Sequence, residues 1–321
     1  MPMDDRNDFL GEFNLDNEGD LVFTKFYRGN SDEISDGSFV IKYAQADSFS
    51  FKRLNLEKTR LDEIRIKVDN FNKRYFLTSF YYKERRGNID GLYFYVWDKA
   101  TGVPVTESMV AFSDELRKEA KGDANAKMAF NDYFIKNIIT RKDGGFIIGS
   151  EAYYTTSRFS SWNRWDYMNR YSFSTPMDYY YYSPYYNNFW GSSRWNSNNQ
   201  SLRYHADNIT VLSFDKDGKL EWNNVLVKEQ FDDQSDDKLS YQIMITGGQL
   251  HFLFNQLERR VQLLNDYSVG SDGKMTRNPT LKNLDKGYEF MPKYGKQVSA
   301  RQMIVPCEYR NYICFAKIDY N

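Results

Sequence analysis

Two cysteines, two histidines, a run of aspartates and a long tyrosine- and tryptophan-rich tract are the places where this chain could do chemistry. Cys307 and Cys314 are its only cysteines, in IVPCEYRNYICFAKI. A two-residue loop at Arg310 and Asn311 sets Tyr309 opposite Tyr312, Glu308 opposite Ile313 and Cys307 opposite Cys314. That register makes the cysteines a hydrogen-bonded pair, where α-carbons stand further apart than at the alternate sites. A four-residue loop would keep the pairing and place it at the closer kind of site. The chemistry is either a disulfide, which would favour an oxidising compartment, or two small buried thiols. His205 and His251 show no ligand spacing with these cysteines, which argues against zinc.

Nucleophilic catalysis has little to work with. No Gly-x-Ser-x-Gly elbow, phosphate-binding loop or dinucleotide fingerprint is present. His251 alternates with apolar neighbours in QLHFLFNQ and reads as an ordinary strand residue; His205 reads as exposed. Asp232, Asp233, Asp236 and Asp237, in FDDQSDDKLS, lack the spacing and central glycine of a helix–loop–helix calcium site and read as a solvated connection. Paired carboxylates for sugar hydrolysis are harder to exclude, since sequence does not reveal which acids converge. Asp16, Glu84, Asp98 and Glu151 lie on or near strands, and none is assigned a role. The expectation is no catalytic residue, no metal and no cofactor.

The elements that would position these groups are overwhelmingly β. DLVFTKFY, SFVIKYA, RYFLTSFYY, LYFYVWD, GFIIGSEAYY, NITVLSFD, QLHFLFNQ and YICFAKI are rich in β-branched and aromatic residues, bounded by Gly, Asp, Asn or Ser. A single helix is expected in SDELRKEAKG, with Ser113 as its cap. One hairpin returns, turning near Ser48 and at Gly102, Gly218 and Gly273, and an inner hairpin precedes it each time. The unit is four antiparallel strands in about 55 residues, slightly longer than a kelch repeat. Such units arranged around an axis make a β-propeller of about five blades. The last unit, from KQVSARQ onward, lacks a fourth strand, so the expectation is either a five-bladed ring of unplaced closure or a C-terminal fragment of a longer propeller.

Asp98 to Gly102 and Asp215 to Trp222, with a weaker echo at Asp272 to Lys274, resemble the repeat of bacterial propellers of the quinoprotein-like group. The resemblance implies the propeller fold and is similar to what secreted or envelope propellers show. It implies no quinone, and a fold does not fix a function.

Within one domain spanning 1–321, the third unit carries an insertion at 155–204, far too long for a hairpin connection. Its aromatic side chains include Trp162, Trp165, Tyr171, Tyr180, Tyr182, Tyr185, Tyr186, Trp190 and Trp195, interspersed with arginines, serines and asparagines. Large rigid rings and adaptable polar groups are the chemistry of recognition. The expectation is a non-enzymatic scaffold that binds a protein partner through these rings. The alternative is a carbohydrate-binding or glycoside-cleaving propeller, whose sugar rings would stack on them.

The 43 Lys and Arg nearly balance 44 Asp and Glu, which removes the general electrostatic reason to expect nucleic acid. No apolar run is long enough for a transmembrane helix. The start, MPMDDRNDFLGEF, does not read as a secretory signal, yet the composition suggests a periplasmic, outer-membrane-associated or secreted protein.

Overall fold

A computed structural model describes residues 7–29, 33–157, Arg164, 202–258, 261–279, 287–310 and 312–320. Blade 1 comprises β1 (Asp8–Leu15), β2 (Leu21–Arg28), β3 (Ile34–Lys42) and β4 (Ser50–Arg53). A short β5 (Arg60–Leu61) bridges it to blade 2, built of β6 (Arg65–Asp69), β7 (Arg74–Tyr82), β8 (Gly91–Asp98) and β9 (Val103–Ala111). Blade 3 holds β10 (Tyr133–Thr140), β11 (Phe146–Ser157), β12 (Leu202–Phe214) and β13 (Leu220–Leu226), with β14 (Phe231–Asp232) added beside β12. Blade 4 is β15 (Tyr241–Thr246), β16 (Gln249–Glu258), β17 (Val261–Val269) and β18 (Met275–Arg277). After β19 (Glu289–Phe290), blade 5 consists of β20 (Lys296–Ser299), β21 (Gln302–Tyr309) and β22 (Tyr312–Asp319). The protein is an all-β propeller, and strands neighbouring in sequence pair antiparallel within each blade.

Alternation along the strands explains the packing. Residues of one parity face the preceding blade and those of the other face the next, so both faces must be apolar. Phe76, Phe94, Phe146 and Phe214 fill the seam between blades 2 and 3, with Phe146 and Phe214 stacked at 4.8 Å. Tyr75, Tyr95 and Trp97 pack with Phe39 and Ile41 between blades 1 and 2. Met244, Leu253, Met303 and Val305 join blades 4 and 5.

The recurrent outer turns also have a packing reason. Gly218 and Gly273 both adopt positive φ, and a Cβ on Gly273 would stand 2.8 Å from the Trp222 ring of the preceding blade. Trp222 Nε1 donates to the Ser271 carbonyl at 3.0 Å, so the tryptophan of one blade seats the turn of the next. The expected helix forms as α1 (Asp114–Lys121), where the Leu116 N–H donates to Ser113 Oγ.

The sheet of blade 5 has two eight-residue strands, β21 and β22, with the short β19 and β20 also beside β21, and among the described residues no strand of another blade joins it. Its far side leaves Ile313 and Phe315 exposed. Strands β11 and β12 extend to Ser157 and from Leu202, so the interruption between them is 158–201. Trp162, Trp165, Tyr171, Tyr180, Tyr182, Tyr185, Tyr186, Trp190 and Trp195 lie outside the described residues.

Candidate functional site

The innermost strands converge on the axis, and two of them are bulged at a charged residue. In β1 the register with β2 shifts between Gly11 and Asn14; in β10 it shifts between Ile135 and Asn137. The residues that fall in these irregularities are Glu12 and Phe13 in β1 and Lys136 in β10. A bulge re-aims a side chain that regular pleating would direct elsewhere. Glu12 has φ 54, a conformation unfavourable to a residue with a Cβ.

Glu12 meets the neighbouring inner strand. Arg65 Nη1 on β6 donates to Glu12 Oε1 at 3.2 Å, and Arg65 Nη2 stands 3.1 Å from Glu63 Oε1. One guanidinium therefore holds two carboxyl groups beside each other. Burial pushes the Glu12 carboxyl above its ordinary 4.5; Arg65 opposes the rise and Glu63 adds to it. Glu12 thus holds its proton more tightly than a free glutamate, with a second carboxylate close by.

The second cluster gathers around Lys136, at the end of the disc that carries the insertion. Lys136 Nζ lies 3.1 Å from Glu151 Oε2, and Lys228 Nζ lies 2.9 Å from Glu151 Oε1. Ser240 Oγ donates to Glu151 Oε2 at 2.5 Å, and Ser240 itself has φ 69. Burial works to raise the Glu151 carboxyl, but Lys228 and Lys136 outweigh it and hold it below its ordinary value. Beside this network Tyr153 donates to Asp236 at 3.4 Å, Tyr294 to Asp237 at 2.7 Å, and Lys293 lies 3.0 Å from Asp236. Carboxylates, ammoniums and tyrosine rings thus share one end of blades 3 to 5.

The insertion touches this end at one described residue. Arg164, buried, pairs with Asp62 and donates from Nη1 to the Tyr133 carbonyl at 2.6 Å and the Asn131 carbonyl at 3.1 Å. Its guanidinium lies 4.0 Å from the Phe134 ring centroid.

The acids and histidines singled out from sequence disperse. Asp16 joins Lys99 and Tyr75 at the opposite end of blade 1, Asp98 caps a turn through the Ala100 and Thr101 N–H groups, and Glu84 is exposed. Only Glu151 enters the axial clusters. Asp236 and Asp237, expected in a solvated loop, are engaged by Lys293 and Tyr294 instead. His205 is half-buried and stacks on Tyr154 at 4.4 Å. His251 is buried on β16, 3.0 Å from Asp266. Glu12, Glu63 and Arg65 were not legible as a group because a bulge and an inter-blade connection bring them together.

No protein-family model matches the chain, and no curated protein matches it. Among solved structures, it is similar to an acylaminoacyl peptidase in complex with Z-Gly-Gly-Phe-chloromethyl ketone, at 11% identity and TM-score 0.47, over 99% of this chain and 40% of that one. It is also similar to the catalytic domain of the Coprinopsis cinerea GH62 alpha-L-arabinofuranosidase, at 8% identity and TM-score 0.37, covering 97% and 88%. A third is the alpha-L-arabinofuranosidase CtGH43 from Clostridium thermocellum, at 9% and 0.34, covering 97% and 89%. The chain therefore spans about 40% of the length of the peptidase it matches.

These similarities correct two expectations. The resemblance to propellers holds for the fold and not for the quinoprotein-like group. The non-enzymatic scaffold is also set aside, because the solved structures this chain is similar to include glycoside hydrolases. Identities this low say nothing about this chain's reaction, which rests on its own geometry. No described helix is long and apolar enough to cross a membrane.

Proposed function

We propose that the protein is a carbohydrate-directed propeller that cleaves a glycosidic bond at its axis, with Glu12 as proton donor and Glu63 as the companion carboxylate. The observation that carries this reading is the pair itself: a carboxyl inclined by burial to keep its proton, sharing the Arg65 guanidinium with a second acid. Glycoside hydrolysis needs one carboxyl to protonate the leaving oxygen and another to activate water or attack the anomeric carbon. Arg65 fixes both groups. Tyr294, half-buried at this end, supplies a ring on which a sugar face can stack, and Lys136, Asp236 and Asp237 supply hydrogen-bonding partners for sugar hydroxyls.

A glycan array followed by a panel of aryl glycosides and polysaccharides tests this reading. Glu12→Gln should cost at least about 100-fold in hydrolysis while glycan retention persists. In the parent protein activity should fall as pH rises through the elevated Glu12 ionisation, because the donor proton is lost. Binding without turnover would reduce the assignment to carbohydrate recognition, and absence of both would end it. A periplasmic, outer-membrane-associated or secreted location, part of the same proposal, is tested by cell fractionation.

A further inference from the structure

At the end of the disc away from the insertion, blades 4 and 5 part. Their seam is apolar in the middle, where Met244, Leu253, Met303 and Val305 meet. Towards the turns after β15 and β20 the same faces change to Thr246, Gln249 and His251 on one side and Arg301 and Tyr320 on the other, around a cleft of about 460 Å³. The corresponding seams of blades 1 to 3 are filled with aromatic rings. A volume of this size suits a small organic molecule.

His251 is the organised group in the cleft. Its Nδ1 lies 3.0 and 3.1 Å from the two Asp266 oxygens, and Asn278 Nδ2 donates to Asp266 Oδ2 at 2.9 Å. The Tyr320 ring meets the imidazole edge-on at 4.6 Å. Asp266 therefore selects the tautomer with hydrogen on Nδ1, which leaves Nε2 to accept a hydrogen bond from a ligand. Across the cleft, Arg301 forms no ion pair among the described residues. It contributes a planar cationic fork suited to a carboxylate.

We propose that this cleft binds a small hydroxycarboxylate, its carboxylate on Arg301 and its hydroxyl donating to His251 Nε2. The two halves of the ligand answer two different protein groups. A neutral polyol would leave Arg301 unanswered, and a simple carboxylate would leave Nε2 so. The site does not depend on the axial carboxylates, which lie on other blades.

Titration of the full chain with glycerate and with glucuronate, read by the imidazole NMR signals of its two histidines, tests the proposal. Saturable shifts confined to His251 are expected with at least one of them. Arg301→Gln, at an exposed turn position, should weaken that binding about tenfold or more. Acetate and glycerol at matched ionic strength should bind much more weakly. Acetate as effective as the hydroxy acids, shifts that do not saturate, or affinity unchanged by Arg301→Gln would each overturn the assignment.

Discussion

Lys228 Nζ stands 2.9 Å from Glu151 Oε1, and neither side chain reaches solvent. Lys228 also donates to the Ala206 carbonyl at 2.5 Å and to Gln230 Oε1 at 2.7 Å. Gln230 in turn accepts from the Ser240 N–H. The pair therefore sits in a network of ion pairs and hydrogen bonds that ties the end of blade 3 to the start of blade 4. Glu151→Gln would leave Lys228 buried without its counter-charge, and a loss of about 3–5 kcal/mol is expected. Urea unfolding measures it. The double variant Glu151→Gln with Lys228→Met should lose less than Glu151→Gln alone, since it removes the stranded charge.

Asp16 predicts an acid-stability window. Burial works to raise its carboxyl, but hydrogen bonds from Lys99, Tyr75 and the Asp20 and Glu18 N–H groups prevail and bring it from 3.8 down to about 2. A carboxyl held low in the folded state stabilises above its unfolded value and loses that contribution as pH falls through the folded one. Stability should therefore decline between about pH 4 and pH 2, and Asp16→Asn should flatten that part of the curve in pH-dependent unfolding.

Arg164 should resist trypsin in the native protein. Its guanidinium is buried against Asp62 and the Phe134 ring, and proteolysis requires an extended, accessible segment. Asp62→Ala should expose the site. Peptide mapping of timed digests reports both results, and prompt cleavage at Arg164 in the parent chain would contradict its buried placement.

Cys307 and Cys314 face each other across β21 and β22, with Sγ atoms 2.9 Å apart and both thiols free. Burial and the neighbouring thiol push Cys307 up to about 12. Exchange with oxidised glutathione should therefore begin at the more accessible Cys314, and Cys307 should then displace glutathione to close an intramolecular disulfide. The balance is two thiols plus one glutathione disulfide giving one protein disulfide plus two glutathione thiols. Mass spectrometry after alkylation should show both cysteines protected together, and Cys314→Ser should leave Cys307 alkylatable after denaturation.

The β-architecture was legible because its signals are local. Asp98, Asp215 and Asp272 each accept backbone N–H groups in the turns where the repeat places them, and the two-residue loop set the pairing of Tyr309 with Tyr312 and of Cys307 with Cys314. The axial site was not legible, for an equally physical reason. Glu12 and Arg65 are 53 positions apart, with the repeat between them, and a bulge aims Glu12. Asp236 and Asp237 looked solvated because their partners, Lys293 and Tyr294, lie in the next inter-blade connection. Strand periodicity identifies neighbours within a blade; it carries little information about which charges meet between blades.

The interruption between β11 and β12 bears on the order of folding. Most hairpins here join strands separated by only a few residues, so their ends find each other at small entropic cost. Strands β11 and β12 must instead close over residues 158–201. Loop-closure entropy grows as about (3/2)RT ln n, so this pairing starts at a disadvantage of roughly 2–3 kcal/mol against a loop of two residues. Blades 1 and 2 can thus assemble from local contacts while blade 3 waits for its two halves, which makes the pairing of β11 with β12 a natural late step, and with it the seam that holds Phe146 and Phe214.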